Sequence, residues 1–147
     1  MYLSPAQPRR PAPFPIPLGR VLIVEPDPLL HDAFRLALAR AGASHLLFVE
    51  DGRRALQVAE RRRPDLILTE LLLPGQDGFA LARQLCEMPN LHAQVIFVTA
   101  AATFAFRERA PQTYGALGAI AKPFTMDGLG ASVHALLRAV QTPARAS

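Results

Sequence analysis

Short apolar runs and helical stripes take turns along this chain. Val21–Val24 is an apolar run that stops at Glu25-Pro26-Asp27-Pro28. A run this short, without polar alternation, reads as a strand buried on both faces. Apolar residues then recur at Leu29, Leu30, Ala33, Phe34, Ala37 and Leu38, and this helical stripe ends before Gly42. Pro28 suits the first turn of that helix, where an amide hydrogen is not needed, and Asp27 suits its N-cap. Leu46–Val49 predicts a second strand running into Glu50-Asp51-Gly52, with a following helix that turns Ala55, Leu56 and Ala59 inward. Leu66–Thr69, opened by Pro64-Asp65, predicts the third strand; Glu70 and a Pro74-Gly75 turn come after it. A helix from about Gly78 puts Phe79, Ala82, Leu85 and Cys86 on one face. Val95–Val98 predicts the fourth strand, ending in Thr99-Ala100-Ala101, and a weakly patterned helix near Phe104–Ala110 follows. Leu117–Ala121 predicts the fifth strand, and Leu129, Val133, Leu136, Leu137 and Val140 mark a last helix.

Strands and helices alternating in this way predict an α/β fold, a doubly wound five-stranded parallel sheet with helices on both faces. The order expected of five such strands is 2-1-3-4-5, the flavodoxin-like arrangement, which brings the ends of strands 1, 3 and 4 together. Residues 1–18 hold six prolines and little to pack, so they read as a disordered arm. The ordered domain is expected over 19–141, with a frayed tail at 142–147.

Composition narrows the function. The 147 residues suffice for one domain with a core, and 50% apolar against 19% charged residues is ordinary for a globular protein. No apolar run nears the ~20 residues of a membrane span. Arg9-Arg10 resembles the start of a twin-arginine signal, but no apolar segment follows, so the cytoplasm is the expected location. A single cysteine, Cys86, excludes an internal disulfide and is read as a packed residue. The net charge of +4 raises nucleic acid as a partner. The arginines are scattered without interleaved aromatics, so that partner is not expected. Fifteen arginines accompany one lysine, Lys122, which points to a place where a flexible point charge is needed. His31, His45, His92 and His134 lack ligand spacing and are read as surface or packing residues.

At the predicted strand ends stand Glu25 and Asp27, Glu70, Thr99, and Lys122-Pro123. Each alone has an ordinary reading: cap, loop acid or turn residue. Together, carboxylates of this kind suit magnesium, and a lysine with a hydroxyl suits an anionic group on the central acid. No Gly-rich phosphate loop follows strand 1, which argues against a nucleotide binder or small flavodoxin-fold enzyme.

On these residues the chain resembles the receiver domain of two-component response regulators over about residues 20–140. The motifs are VLIVEPDP, PDLILTELLLPGQDGF, VIFVTA and GALGAIAKPF. The resemblance implies that Glu25 is the first acid of a metal pocket, Thr99 the switch hydroxyl and Ala100 the small residue beside it. It also implies that Lys122, joined by a cis bond to Pro123, holds the acceptor and its phosphate. Three parts depart from the family. Glu70 stands where the phosphoacceptor aspartate is carried, Pro26 where the second metal acid is carried, and Ala119 where an aromatic switch residue is usual. Magnesium at Glu25, Asp27 and Glu70 is therefore expected to be weak or absent, with no cofactor required.

The expected function is a stand-alone, non-enzymatic pseudo-receiver. Glu70 would pair with Lys122 and accept from Thr99, imitating a phosphorylated state, and the module would act by docking to protein. A histidine kinase or regulator is the expected partner, with homodimerisation through helix 4, strand 5 and helix 5, where Phe104 and Phe106 lie. No output domain is expected on this chain. The alternatives are a phosphorylatable receiver with its acceptor shifted to Asp27, and the small enzyme or nucleotide binder already disfavoured.

Overall fold

The computed structural model describes residues 16–101 and 111–141. Five strands form one parallel sheet: β1 (Gly19–Val24), β2 (Ala43–Val49), β3 (Leu66–Thr69), β4 (Gln94–Thr99) and β5 (Gly118–Ala121). Their order is β2-β1-β3-β4-β5, the order expected of a five-stranded doubly wound sheet though not readable from the periodicity itself. Four helices are described: α1 (His31–Arg40), α2 (Gly52–Arg62), α3 (Gly78–Glu87) and α4 (Met126–Gln141). The segment Phe104–Ala110, with Phe104 and Phe106, lies outside the described residues, as do the arm over 1–15 and the tail over 142–147.

Successive side chains of a strand point to opposite faces, so each apolar run supplies two cores. Leu22, Val24, Ile67, Val95 and Phe97 pack under α2 and α3, against Ala55, Ala59, Phe79, Leu81 and Leu85. On the other face Val21, Ile23, Leu66, Leu68, Ile96 and Val98 meet Phe34, Ala37 and Leu38 of α1 and Leu129 and Val133 of α4. Each large side chain fully buried in this way stabilises the fold by roughly 1.5–3 kcal/mol. No helix among the described residues is long and apolar enough to cross a membrane.

Several expectations shift in detail. Leu18, assigned to the arm, is buried with Val21 and Ile23, so the packed domain begins before residue 19. Strand β2 starts at Ala43, three residues before its apolar run, because Ser44 and His45 lie exposed on the sheet's edge strand. Pro28–Leu30 form a 3-10 turn and leave Leu29 86% exposed, so Leu29 is not part of the inward stripe. Leu56 is only half-buried.

Cys86, expected to pack, is exposed as a residue, because the helical stripe of α3 is completed by Leu81 instead. Its sulfur still rests against Gly115, donating to the carbonyl at 3.3 Å. Burial of that sulfur, assisted by the charge of Glu87, pushes the thiol pKa up.

After β3 the chain makes a small antiparallel pair not seen in the periodicity, Leu72–Leu73 with Gln76–Asp77. Pro74 and Gly75 turn it, and Gly75 takes a φ of +65° that suits the third position of a type II turn. Gly78 then opens α3 so close to the chain that a Cβ there would stand 2.5 Å from the Leu71 carbonyl. This tight return fixes the backbone just after Glu70.

Candidate functional site

Register decides which side chains share the carboxyl edge of the sheet. Val24 pairs with Thr69, Thr69 with Phe97, and Thr99 with Ala121. The residues that follow are therefore Glu25, Glu70, Ala100 and Lys122. The ladder continues past the strands, with Glu25 N donating to Val49 O at 2.9 Å, Glu70 N to Val24 O at 2.9 Å and Lys122 N to Thr99 O at 3.0 Å. Glu25 and Glu70 are thus level with each other, and Lys122 stands two residues further along the edge, since Thr69 is level with Phe97 and Phe97 with Ala119.

Lys122 must reach across the end of β4 to meet the acids of β3 and β1. Neighbouring strands lie ~4.8 Å apart, so only long side chains can close that gap. Lys122 Nζ is hydrogen-bonded to Glu25 Oε1 and, at 3.2 Å, to Glu70 Oε1. The side chains are 12%, 3% and 11% exposed for Lys122, Glu25 and Glu70, so the triad is nearly dry. The remaining oxygens are also engaged: Glu25 Oε2 accepts from Asp27 N at 3.1 Å and Glu70 Oε2 from Leu71 N at 2.6 Å. In such a setting charge pairs are weakly screened, and breaking one leaves an uncompensated buried charge. Pro123 follows through a cis peptide bond. With Leu30, Ala33, Ala100, Lys122 and Phe124 it lines a cavity of about 320 Å³. The methyl of Ala100 is the small group beside the lysine's path.

Three sequence candidates stay outside the triad. Asp27 is exposed, and its carboxylate caps the 3-10 turn by accepting from Leu29 N at 2.9 Å. Thr99 is buried, but its hydroxyl accepts from Ala101 N at 3.2 Å and makes no hydrogen bond to Glu70, contrary to expectation. Ala119 pairs with Phe97 in the sheet and packs at the margin of the α2–α3 core.

Glu25, Asp27 and Glu70 do not fit a magnesium ion in this arrangement. Both Glu25 oxygens are engaged, Asp27 points away, and Pro26 offers no side-chain oxygen. Among the described residues no group of three or more His, Cys, Asp or Glu side chains could hold a metal.

The sequence reading missed His31. Its Nε2 donates to the Glu25 backbone carbonyl at 3.0 Å, and its ring lies 4.8 Å from that of Phe48 on β2. Nothing in its local pattern separates it from a helix-surface histidine; the contact depends on the Pro28–Leu30 turn swinging α1 over the end of β1. His134, by contrast, is buried, with Nε2 2.9 Å from Ala41 O, and joins α4 to the end of α1.

The family model described as "Response regulator receiver domain" matches residues 21–134. A probable C4-dicarboxylate response regulator, DctR, from Halalkalibacterium halodurans is 30% identical over 118 residues, which are 80% of this chain and 50% of that protein. The chain thus spans about half the length of this curated relative. Among solved structures, a sensor protein from Polaromonas sp. JS666 superposes with a TM-score of 0.73 at 28% identity, over 85% of this chain and 98% of the other. The receiver domain of a sensor histidine kinase from Pseudomonas aeruginosa PAO1 gives 0.69 at 30% identity, over 84% and 98%. That domain carries a magnesium ion coordinated in its active-site cleft.

Proposed function

Because this chain belongs to the response regulator receiver domain family of two-component signalling, we propose that it is a pseudo-receiver, a docking module that works without being phosphorylated. The observation that carries this reading is the 3.2 Å contact between Lys122 Nζ and Glu70 Oε1 in a nearly dry site. The lysine that would steady an incoming phosphoryl group is already paired with the residue that would receive it.

Phosphoryl transfer to a carboxylate rests on positioning and on neutralising charge with metal and lysine. Glu70 is one methylene longer than aspartate, which moves its carboxylate by about 1 Å, a displacement that costs on the order of a hundredfold in rate. Pro26 removes a metal ligand besides. Asp27 does not take over as acceptor, since its carboxylate is turned outward as a cap and does not meet Lys122. The imitation of a phosphorylated state extends to the lysine and stops there, because Thr99 is not drawn to Glu70. The module is thereby held in one state. Its partner is a protein of a two-component pathway, a histidine kinase or a regulator. The face through which a homodimer would form includes the segment outside the described residues.

Incubation with acetyl phosphate and magnesium, and separately with beryllofluoride, tests the reading by intact mass and by 19F NMR. The expected result is an unmodified chain. A stoichiometric phosphoryl or beryllofluoride adduct at residue 70 overturns it.

A further inference from the structure

Glu25 is the most fully engaged residue of the site. Its amide donates to Val49 O at 2.9 Å and its carbonyl accepts from His31 Nε2 at 3.0 Å. One carboxylate oxygen accepts from Asp27 N at 3.1 Å, and the other binds Lys122 Nζ. Two contacts, from β2 and α1, fix its backbone, and two, from the loop after β1 and from the residue after β5, hold a side chain that is 3% exposed. The carboxylate oxygen facing the cluster is already bound to the lysine, and the other accepts from a backbone amide, so an entering cation would have to compete with the ammonium for Glu25.

We propose that Glu25, in the place the resemblance assigns to a metal acid, is instead the positioning residue that fixes Lys122. Its partner is internal: the ammonium of Lys122 supplies the positive charge, and the closed arrangement of the site does not depend on a divalent cation. Pro26 is consistent with this, since a second acid beside Glu25 would add a further negative charge around one ammonium. Glu70 is the second partner, at 3.2 Å and more exposed than Glu25. The inference shares with the proposed function only the Lys122–Glu70 contact. A phosphorylated Glu70 would defeat that reading and leave the role of Glu25 standing; a chain that stays unphosphorylated but whose Lys122 is no more reactive in Glu25→Gln would do the reverse.

Lys122 is the sole lysine of the chain, so amine acylation reports on it alone once the N-terminal peptide is separated. The full chain is treated with an N-hydroxysuccinimide ester under native conditions, and the rate at Lys122 is read by peptide mass spectrometry. In the unaltered chain, labelling is expected to be slow relative to the urea-unfolded chain and unchanged by millimolar magnesium. Glu25→Gln keeps the length and an acceptor for Asp27 N but removes the charge, so a role in packing alone predicts no change. We expect Lys122 labelling to rise roughly tenfold in Glu25→Gln with circular dichroism unaltered, and by less in Glu70→Gln. Labelling of folded Glu25→Gln at the original rate overturns the proposal, as does a larger rise in Glu70→Gln. The magnesium arm needs no variant and decides by itself if Glu25→Gln does not fold: faster labelling with magnesium refutes the internal counter-ion, and an unchanged rate upholds it.

Discussion

At the ends of β1, β3 and β5 three charged side chains close on one another, whereas at the end of β4, between the last two, Thr99 keeps to its own loop. Both corners are buried and both are built on backbone ladders that run past the strands. They differ in reach. Glutamate and lysine have enough methylenes to meet across the end of β4, and their opposite charges reward the meeting in a dry site. A threonine hydroxyl sits one bond from its Cβ and finds the Ala101 amide first. The difference teaches that a charge cluster can persist without the hydroxyl contact that would carry its state elsewhere. Ala119 carries only a methyl, so no large side chain at that position stands ready to move when the charges do.

The largest expected effect breaks the charged corner outright. Lys122→Met leaves two buried carboxylates facing each other, and urea denaturation should show a loss of about 3 kcal/mol. A loss below about 1 kcal/mol, the scale of an ordinary hydrogen bond, would mean that the corner is wetter than its burial indicates. The hydroxyl corner is tested by Thr99→Val, a nearly isosteric change that leaves the Ala101 amide without its acceptor. It should cost roughly 1 kcal/mol and leave Lys122 acylation unchanged; a changed acylation rate would show that the two corners communicate. The smallest effect sharpens the contrast between dry and wet pairs. Arg40 and Asp127 lie 3.5 Å apart with both side chains largely exposed. Asp127→Ala should shift stability by less than about 0.5 kcal/mol, and less still at high salt.

The five strands could be read from the chain because each is a short apolar run broken by loop residues. Leu66–Thr69 was bounded to the residue, since Pro64-Asp65 and Glu70 are sharp changes in polarity. The candidate site was legible as a set of positions, because the residues just past parallel strands share one edge of the sheet. Asp27 was legible as a cap from Pro28 beside it. Less could be seen where chemistry and pattern diverge. The Leu72–Leu73 and Gln76–Asp77 pair is too short to show a period, and the polar start of β2 at Ser44 and His45 looks like loop. Leu29 and Cys86 fitted their helical stripes by spacing, yet a 3-10 turn and a neighbouring core residue put them outside.

The sequence by itself settled the doubly wound sheet, its two cores and the residues along its carboxyl edge, because hydrophobic periodicity and turn chemistry act over a few neighbouring residues. Only the tertiary structure decided the pairings: Lys122 with Glu25 and Glu70, His31 with the Glu25 carbonyl, and Thr99 with its own loop. Those choices depend on strand register, on how far each side chain extends and on how much water is excluded. The partners lie as many as 97 residues apart along the chain, so no local pattern could select among them.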